Sequence, residues 1–299
     1  MSTAATATTT TTNTSTTFQH PEYHIPITLP PGLSQEQLLA FQPFASWLTT
    51  LQTSLGLQRQ QPSHPFHASP YTLHSITVQS YDLFGGSRLG FVKLASHVST
   101  AEGDALPGAV FLRGPSVAVL VLLVPDDVRP GDARAEDDER RAVLAVQPRV
   151  AAGSLGFAEL PAGMVDGETG CFAGQAAREM REELGVEMAE DELVCLSDLV
   201  ARSTTAGHKE GDATAPLPRG VYPSPGACDE YIPIYLHERR VPRAQLAEWE
   251  GRLTGLREHG ERITLKLVRM RDLWREGARD AKCLAAVALW EGLRREGKI

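Results

Sequence analysis

The stretch that decides the fold is ELPAGMVDGETGCFAGQAAREMREELGV, residues 159–186. A short apolar approach enters a glycine-rich segment, and a run with helical character follows. Glu179, Glu182 and Glu183 are spaced i, i+3 and i+4, so at about 100° per residue an α-helix carries their carboxylates within roughly 100° of arc on one face. Carboxylates gathered on one face repel each other, and either full solvation or a divalent cation relieves that repulsion.

The glycine-rich segment before the helix favours the cation. Carboxylate oxygens with room for water are the ligands typical of Mg²⁺ or Mn²⁺ sites. Such an ion bridges phosphate oxygens and activates an attacking water molecule. The residues therefore predict metal-assisted hydrolysis of a phosphoanhydride, and the alternative is a solvated acidic helix face that binds nothing.

A family resemblance lies in residues 178–186, REMREELGV. They match the second half of the Nudix box, Arg-Glu-aliphatic-x-Glu-Glu-x-Gly-aliphatic, at every specified position. Gly163 resembles the opening glycine, but its separation from Arg178 is one residue longer than usual. The first glutamate of the box therefore has no match in register, and Glu168 is the nearest candidate. The ELPAG lead-in and YPSPGACDE, residues 222–230, resemble the ADP-sugar pyrophosphatase branch, most closely the plant-type ADP-glucose pyrophosphatases.

The resemblance implies a metal site with Mg²⁺, or Mn²⁺, as the cofactor. Glu179, Glu182 and Glu183 would be its carboxylate ligands. In this branch the carbonyl just before the opening glycine also binds metal, which indicates Ala162. Arg178 would orient one of the glutamates through a salt bridge.

The resemblance also implies a site for the substrate. Gln147 and Arg149 match a Gln-x-Arg on the preceding strand that faces the diphosphate; the alternative for Arg149 is an exposed strand residue. The remaining candidates for substrate binding are Gly163, Ser224, Gly226, Asp229 and Glu230. For the last four the alternative is a tight turn built by the prolines and glycine of YPSPG.

The general base of this branch comes from a late loop. Glu261 in LREHGERITL is our first candidate and Glu258 the second. Glu182 is the third catalytic candidate. His259 lies in the same loop, where a lone histidine is more often surface decoration.

The fold class that the resemblance implies is α/β: a Nudix α/β/α sandwich with a mixed sheet, plus an N-terminal helix and strand segment. We expect a disordered Thr/Ser-rich tail over residues 1–20, because such a composition cannot bury enough apolar area to become ordered. An N-terminal segment of a helix and short strands comes next, over 21–108, and it is a candidate for a dimer interface. The Nudix domain is expected over 109–276, with a C-terminal helix over 277–299 packed on it.

Patterning predicts the elements within these domains. Ser34 and Gln37 have capping-box spacing, so a helix begins there, with a kink at Pro43. The other predicted elements are short strands within 71–97, strands over 109–124 and 141–150 joined by a charged surface loop at 126–141, a helix over 171–184, strands at 193–200, 231–236 and 263–268, and a helix over 273–295.

Composition limits the partners. The chain has 299 residues, 42% of them hydrophobic, and a net charge of −8. No global basic field would recruit nucleic acid or an anionic membrane, and no apolar run is long enough to span a bilayer. The expected partner is a nucleoside diphosphate-sugar substrate. Relatives in this branch are commonly homodimers, so a second copy is expected too.

The cysteines and the N-terminus bear on location. The four cysteines form no CxxC pair, which argues against a zinc cluster or a disulfide scaffold and favours a reducing compartment. No Lys or Arg precedes Arg59, so neither a secretory nor a mitochondrial signal is indicated. We expect a cytoplasmic protein; the Thr/Ser-rich tail only weakly resembles a plastid transit peptide.

Together these features predict Mg²⁺-dependent hydrolysis of the diphosphate of an ADP-sugar, ADP-glucose or ADP-ribose, to AMP and a sugar 1-phosphate. One alternative keeps the enzyme class and changes the substrate to another nucleoside diphosphate derivative or a diphosphoinositol. The other is a non-catalytic nucleotide-binding protein on the same fold.

Overall fold

The structure is a computed structural model that describes residues 15–165, 172–185, 188–205, 217–255 and 262–299 of the chain, except for the side chains of residues 183 and 203–205. These residues divide into two compact units. Unit 1 runs to Arg113 and also holds Gly226–Asp229. Unit 2 begins at Gly114 and contains the rest of the chain.

Unit 1 is a five-stranded sheet with two helices. Its strands follow each other in chain order, and only β2 and β3 run parallel. A core of buried aliphatic and aromatic side chains, Ile27, Phe44, Leu48 and Leu94 among them, joins the sheet to the helices. The elements are β1 (Thr16–Gln19), β2 (Pro26–Leu29), α1 (Gln35–Ala40), α2 (Gln42–Gln60), β3 (Thr72–Phe84), β4 (Arg88–Ser99) and β5 (Ala109–Leu112).

The helices of unit 1 begin as their sequence predicts. Ser34 and Gln37 form the capping box, in which each side chain accepts a hydrogen bond from the other residue's backbone N–H. The kink predicted at Pro43 is instead a break: α1 ends before Phe41, and Pro43 lies in the first turn of α2, where its missing N–H costs nothing.

Two further expectations for unit 1 are corrected. The disordered tail expected over residues 1–20 overlaps β1, because Thr16–Gln19 pairs with Pro26–Leu29 along its whole length. The strands expected to be short within residues 71–97 are long, and they form one hairpin. Gly85 and Gly86, both with positive φ, make its turn, a backbone conformation that glycine adopts without strain.

Unit 2 is built on an eight-stranded mixed sheet. Its main order is β10-β11-β6-β7-β13-β12, with β8 beside β7 and β9 beside β6. Only β11 and β6 pair in parallel. The strands are β6 (Ser116–Pro125), β7 (Arg141–Arg149), β8 (Ser154–Glu159), β9 (Ala162–Met164), β10 (Val194–Cys195), β11 (Ile234–Val241), β12 (Leu253–Thr254) and β13 (Ile263–Arg269).

The central strand β6 explains why helices cover both faces of this sheet. All ten of its residues are buried, as a continuous apolar run in a sheet covered on both faces should be. Its odd-numbered residues from Val117 to Leu123 enter a core that also holds side chains of the helices α4 (Phe172–Glu179) and α6 (Arg243–Trp249). Its even-numbered residues from Ala118 to Leu122 enter a second core with the helices α5 (Leu196–Thr205), α7 (Leu273–Glu276) and α8 (Ala281–Arg295). The predicted α/β/α sandwich with a mixed sheet is therefore confirmed.

The helices of unit 2 correct three expectations. The charged segment 126–141 is not all loop: it contains α3, and Arg140 at its end is buried in ion pairs with Asp137 and Glu238. The apolar run predicted as a strand over 193–200 is a two-residue strand followed by a helix. The predicted terminal helix is interrupted. The helices are α3 (Ala133–Glu139), α4 (Phe172–Glu179), α5 (Leu196–Thr205), α6 (Arg243–Trp249), α7 (Leu273–Glu276) and α8 (Ala281–Arg295).

Short turns of other helical types complete the unit. Val150–Ala152, Glu190–Glu192 and Met270–Asp272 are 3₁₀-helical, and Met180–Leu184 continues α4 as a π-helical turn. Within the described part of the chain, no helix combines the length and the apolar character that crossing a membrane requires.

Candidate active site

The site is built where two consecutive strands, β8 and β9, lead the chain towards helix α4. Strand β8 ends at Glu159, and Leu160 and Pro161 carry the chain into β9. In β9, Gly163 pairs with Val117 of the central strand. The candidate ligands Ala162 and Glu179 therefore lie on elements that are fixed by the buried sheet and by the apolar face of α4.

The carboxylate of Glu179 lies directly against Gly163. A Cβ atom at position 163 would stand 1.9 Å from Cδ, 2.0 Å from Oε1 and 2.3 Å from Oε2 of Glu179. Only a residue without a side chain leaves room for this carboxylate. The structure thus brings the first predicted metal ligand against the strand that contains Ala162, whose carbonyl is the predicted backbone ligand.

Gln175 holds this carboxylate from the helix side. Its side chain is 0% exposed, and its Nε2 donates a hydrogen bond of 2.6 Å to Oε1 of Glu179. Sequence reasoning did not select Gln175. A signal existed, because a side-chain donor four residues before a helix glutamate lies on the same face.

Arg178 contacts the second predicted ligand. Its Nε lies 3.8 Å from Oε1 of Glu182, one turn further along. The uniform spacing of 100° per residue that we assumed for the three glutamates does not hold, because Met180–Leu184 is a π-helical turn. Such turns recur at functional sites. The side chain of Glu183 is not among those that the structure describes, so its position beside Glu179 and Glu182 stays a prediction.

Arg149 and Gln147 stand at the end of β7. The pairing of β7 with β8 shifts register between these two residues, at Pro148, which has no N–H to give to the ladder. Gln147 is buried, and Nε of Arg149 donates a hydrogen bond of 2.6 Å to Oε1 of the buried Glu159. Arg149 is therefore not merely an exposed strand residue, since its guanidinium is fixed at one edge.

The later motif divides between the two units. Ser224 and Glu230 belong to unit 2, and Gly226 and Asp229 belong to unit 1. In unit 2, Oγ of Ser116 donates a hydrogen bond of 2.6 Å to Oε1 of Glu230. Because Ser116 pairs with Met164, the neighbour of Gly163, Glu230 is tied close to β9.

In unit 1 the motif extends the edge of the sheet. The N–H of Arg113 donates a hydrogen bond of 2.8 Å to Oδ1 of Asp229, and Phe111 forms a bridge with Cys228. Ser224 and Gly226 are exposed. These contacts give Asp229 a structural role, and its predicted role in substrate binding stays untested.

The described chain is similar to a known protein. No protein-family model matches it. Nudix hydrolase 14, chloroplastic, of Arabidopsis thaliana is 37% identical over 257 residues, which cover 86% of this chain and 72% of that protein. The chain belongs to the Nudix hydrolase family. A solved structure titled "Crystal structure of ADP compounds hydrolase" is also similar, with a TM-score of 0.48, 14% identity and coverage of 77% of this chain and 97% of that one.

The family assignment confirms the resemblance found in REMREELGV. The protein is an enzyme, a Nudix-type pyrophosphatase. Nudix hydrolases generally use divalent metal ions, and the residues fit such an ion: the carboxylates of Glu179 and Glu182 are hard oxygen donors, and Gly163 leaves space for one of them against β9. Among the side chains that the structure describes, which do not include that of Glu183, no three metal-binding groups converge.

Three predicted residues of this Nudix protein, Glu168, Glu258 and Glu261, lie outside the described part of the chain. The general base and the nearest candidate for the first box glutamate therefore stay predictions. The structure adds residues that sequence reasoning missed. Besides Gln175, these are Glu159, Asp280 and Lys282, which are linked by ion pairs at the end of β8.

Proposed function

We propose that this Nudix hydrolase cleaves the diphosphate of an ADP-sugar, ADP-glucose or ADP-ribose, to AMP and a sugar 1-phosphate, with Mg²⁺ as its cofactor. The observation that carries the proposal is the contact of the Glu179 carboxylate with Gly163. It brings one predicted carboxylate ligand against the strand that contains Ala162, the predicted backbone ligand. The ADP-sugar class itself rests on the ELPAG and YPSPGACDE resemblance.

Four residues would hold the metal. They are Ala162, through its carbonyl oxygen, and Glu179, Glu182 and Glu183, through their carboxylates. When bound, the ion supplies charge neutralisation at the diphosphate and lowers the pKa of a water molecule. Gln175 keeps Oε1 of Glu179 oriented, and Arg178 does the same for Glu182.

The other residues would bind the substrate and accept the proton of the attacking water. Arg149 would donate charge-assisted hydrogen bonds to phosphate oxygens beside Gln147. Glu261, or else Glu258, would accept the proton of the attacking water, which must lie within about 3 Å of the base. The bridging oxygen then leaves with AMP or with the sugar phosphate, depending on which phosphorus is attacked.

The test is AMP release from ADP-glucose and ADP-ribose by the Glu182→Gln and Glu183→Gln variants. Losing a principal electrostatic contact of the site should lower kcat about 10²- to 10³-fold. Glu248→Gln is a matched control, because Glu248 forms an i,i+4 ion pair of the same 3.8 Å length with Arg252 on another element. Retention of more than half the wild-type rate by both ligand variants would refute the ligand assignment.

A substrate panel separates the proposed substrates from their rivals. With Mg²⁺ present, ADP-glucose and ADP-ribose should give higher kcat/KM than other nucleoside diphosphate sugars or a diphosphoinositol. Tight binding without turnover would instead favour a nucleotide-binding protein that has lost catalysis. Each result is measured on the same purified chain.

The proposal extends to the assembly and the location of the protein. We propose a homodimer, as in the resembled branch; light scattering should then give about twice the chain mass of 32.4 kDa. We propose a cytoplasmic location because the four cysteines form no CxxC pair and favour a reducing compartment. The Arabidopsis relative is named chloroplastic, so imaging of a C-terminal fluorescent fusion decides between cytoplasm and plastid.

A further inference from the structure

Four charged side chains form one connected network at the end of β8. Oε1 of Glu159 accepts the hydrogen bond of Arg149, and Oε2 accepts one of 2.8 Å from Nζ of Lys282. Lys282 in turn donates a bond of 3.0 Å to Oδ1 of Asp280. Each oxygen of Glu159 thus has its own cationic donor, and the two cations and two anions balance.

The network is exposed mainly at Arg149. The side chains of Glu159 and Asp280 are 4% exposed and that of Lys282 is 14% exposed, whereas Arg149 is 43% exposed. Burial lowers the pKa of Lys282, but the charges of Asp280 and Glu159 outweigh it and raise that pKa above its ordinary value. Lys282 is therefore a cation at neutral pH, held between two carboxylates.

The terminal nitrogens of the Arg149 guanidinium are available to a ligand. Glu159 accepts a hydrogen bond only from Nε, and no other described residue forms a hydrogen bond with the terminal nitrogens. Those nitrogens are the donors that suit a bidentate contact with phosphate. Fixing Nε at one edge orients the opposite edge.

The same network clamps the strand that enters the site. Asp280 caps the N-terminus of α8 and accepts a hydrogen bond of 2.9 Å from the N–H of Leu160. Leu160 stands two residues before Ala162. The start of α8 therefore holds both the side chain that orients Arg149 and the backbone that leads to Gly163.

Stability gives little reason for such a network. Replacing a buried ion pair with well-packed apolar residues is often neutral or stabilising, whereas removing one partner leaves a buried charge uncompensated. Two of these charges come from the start of α8: Asp280 is its N-cap and lies 120 residues after Leu160, and Lys282 lies 123 residues after Glu159. A cluster of this kind is explained better by the geometry that it imposes on its exposed member.

We propose that Lys282 is a positioning residue of the enzyme: through Glu159 it fixes the guanidinium of Arg149 towards the diphosphate of the substrate. This inference rests on the proposed function, in which Arg149 binds the diphosphate. Without Lys282, Glu159 has a vacant oxygen and can turn, so Arg149 loses its fixed orientation. Lys282 itself touches no substrate.

A double-mutant cycle tests the proposal. Its readout is the coupling between Lys282 and Arg149 in KM and Kd, which a purely structural role of Lys282 would not produce. KM and kcat for ADP-glucose, and the Kd of ADP by titration calorimetry, are measured for wild type, Lys282→Met, Arg149→Gln and the double variant. Arg149→Gln should raise KM about 10- to 100-fold, the scale of a hydrogen bond to a charged group. Lys282→Met should raise KM at least about 5-fold in the presence of Arg149 and less than about 2-fold in its absence, because the two changes share one contact.

The matched control is Lys266→Met, which removes a Lys–Glu pair of the same 2.8 Å length on β13. It should leave KM and kcat unchanged. An equal rise in KM in both Arg149 backgrounds would overturn the proposal, and so would a fall in kcat with KM unchanged. If Lys282→Met does not fold, the nearly isosteric Glu159→Gln takes its place in the cycle, with the same expected coupling.

The outcomes keep this proposal apart from the proposed function. If wild type releases no AMP from either ADP-sugar, the proposed function fails, and the cycle is then read from the Kd of ADP alone. Coupling in Kd would support the role of Lys282 as a positioning residue for a diphosphate. Additive effects on Kd would overturn that role whatever the substrate proves to be.

Discussion

Gly163→Ala is the substitution whose consequence the structure specifies most closely. The added Cβ would stand 1.9 Å from Cδ of Glu179, whereas ordinary contact begins at 3.4 Å, so the carboxylate must retreat by the difference, 1.5 Å. A misplacement of about 1 Å costs about 10²-fold in rate, so kcat should fall at least about 100-fold. The displaced carboxylate also loses its hydrogen bond from Gln175, at a cost of about 1 kcal/mol, which is about 2–4 °C in Tm for a unit of this size.

The assay combines AMP release from ADP-glucose over a range of Mg²⁺ concentrations with thermal unfolding. Gly156→Ala is the matched control on β8, the preceding strand, because its Cβ would meet only Cγ1 of Val146, at 3.9 Å. The control should keep wild-type kcat. The reasoning is refuted if Gly163→Ala is folded and retains more than half of the wild-type kcat/KM, because the Glu179 carboxylate would then not be needed where the structure has it.

Three further predictions concern single side chains. Gln175→Leu should lower kcat about 10-fold or more while unfolding within a few degrees of wild type, because it removes the donor that orients Glu179; unchanged kcat would contradict that role. Burial lowers the pKa of His237, an effect that Glu192 partly offsets. The unfolded chain therefore takes up this proton first, and stability should fall as pH drops below about 6.5; denaturant unfolding of His237→Leu should show a flatter decline, and an equal slope would count against it. Burial raises the pKa of the Cys283 thiol to about 12, so mass spectrometry after iodoacetamide treatment at pH 8 should find Cys283 unlabelled in the folded protein and labelled in denaturant.

Sequence patterns predicted the features that depend on neighbours along the chain. The capping box at Ser34, the buried strand around Leu120 and the helix ending in REMREELGV all follow from local spacing, and the structure has each of them. Predictions from local spacing were wrong where tertiary packing determines the secondary structure. The apolar run from Leu196 to Val200 suits a strand or a helix, and its side chains pack as a helix against the core that holds α8.

The candidate site divides in the same way. Its glutamates are close together in the sequence, so their grouping could be predicted; the structure has Glu179 at the end of α4 and Glu182 in the π-helical turn that follows. The network of Arg149, Glu159 and Lys282 was not, because Lys282 and Glu159 are 123 residues apart in the chain and no periodicity links them. The π-helical turn after Glu179 also escaped prediction, since its residues are ordinary helix formers.

The most direct test of the central claim is metal-dependent product release by the wild-type protein. The purified chain is stripped with a chelator, mixed with ADP-glucose or ADP-ribose, and followed by chromatography for AMP before and after Mg²⁺ is added. We predict no AMP from the stripped protein and stoichiometric AMP and sugar 1-phosphate once Mg²⁺ is restored. Equal turnover without any divalent ion, or none with any nucleoside diphosphate compound at saturating Mg²⁺, would contradict the claim that Glu179 and its neighbours hold a catalytic cation against a diphosphate.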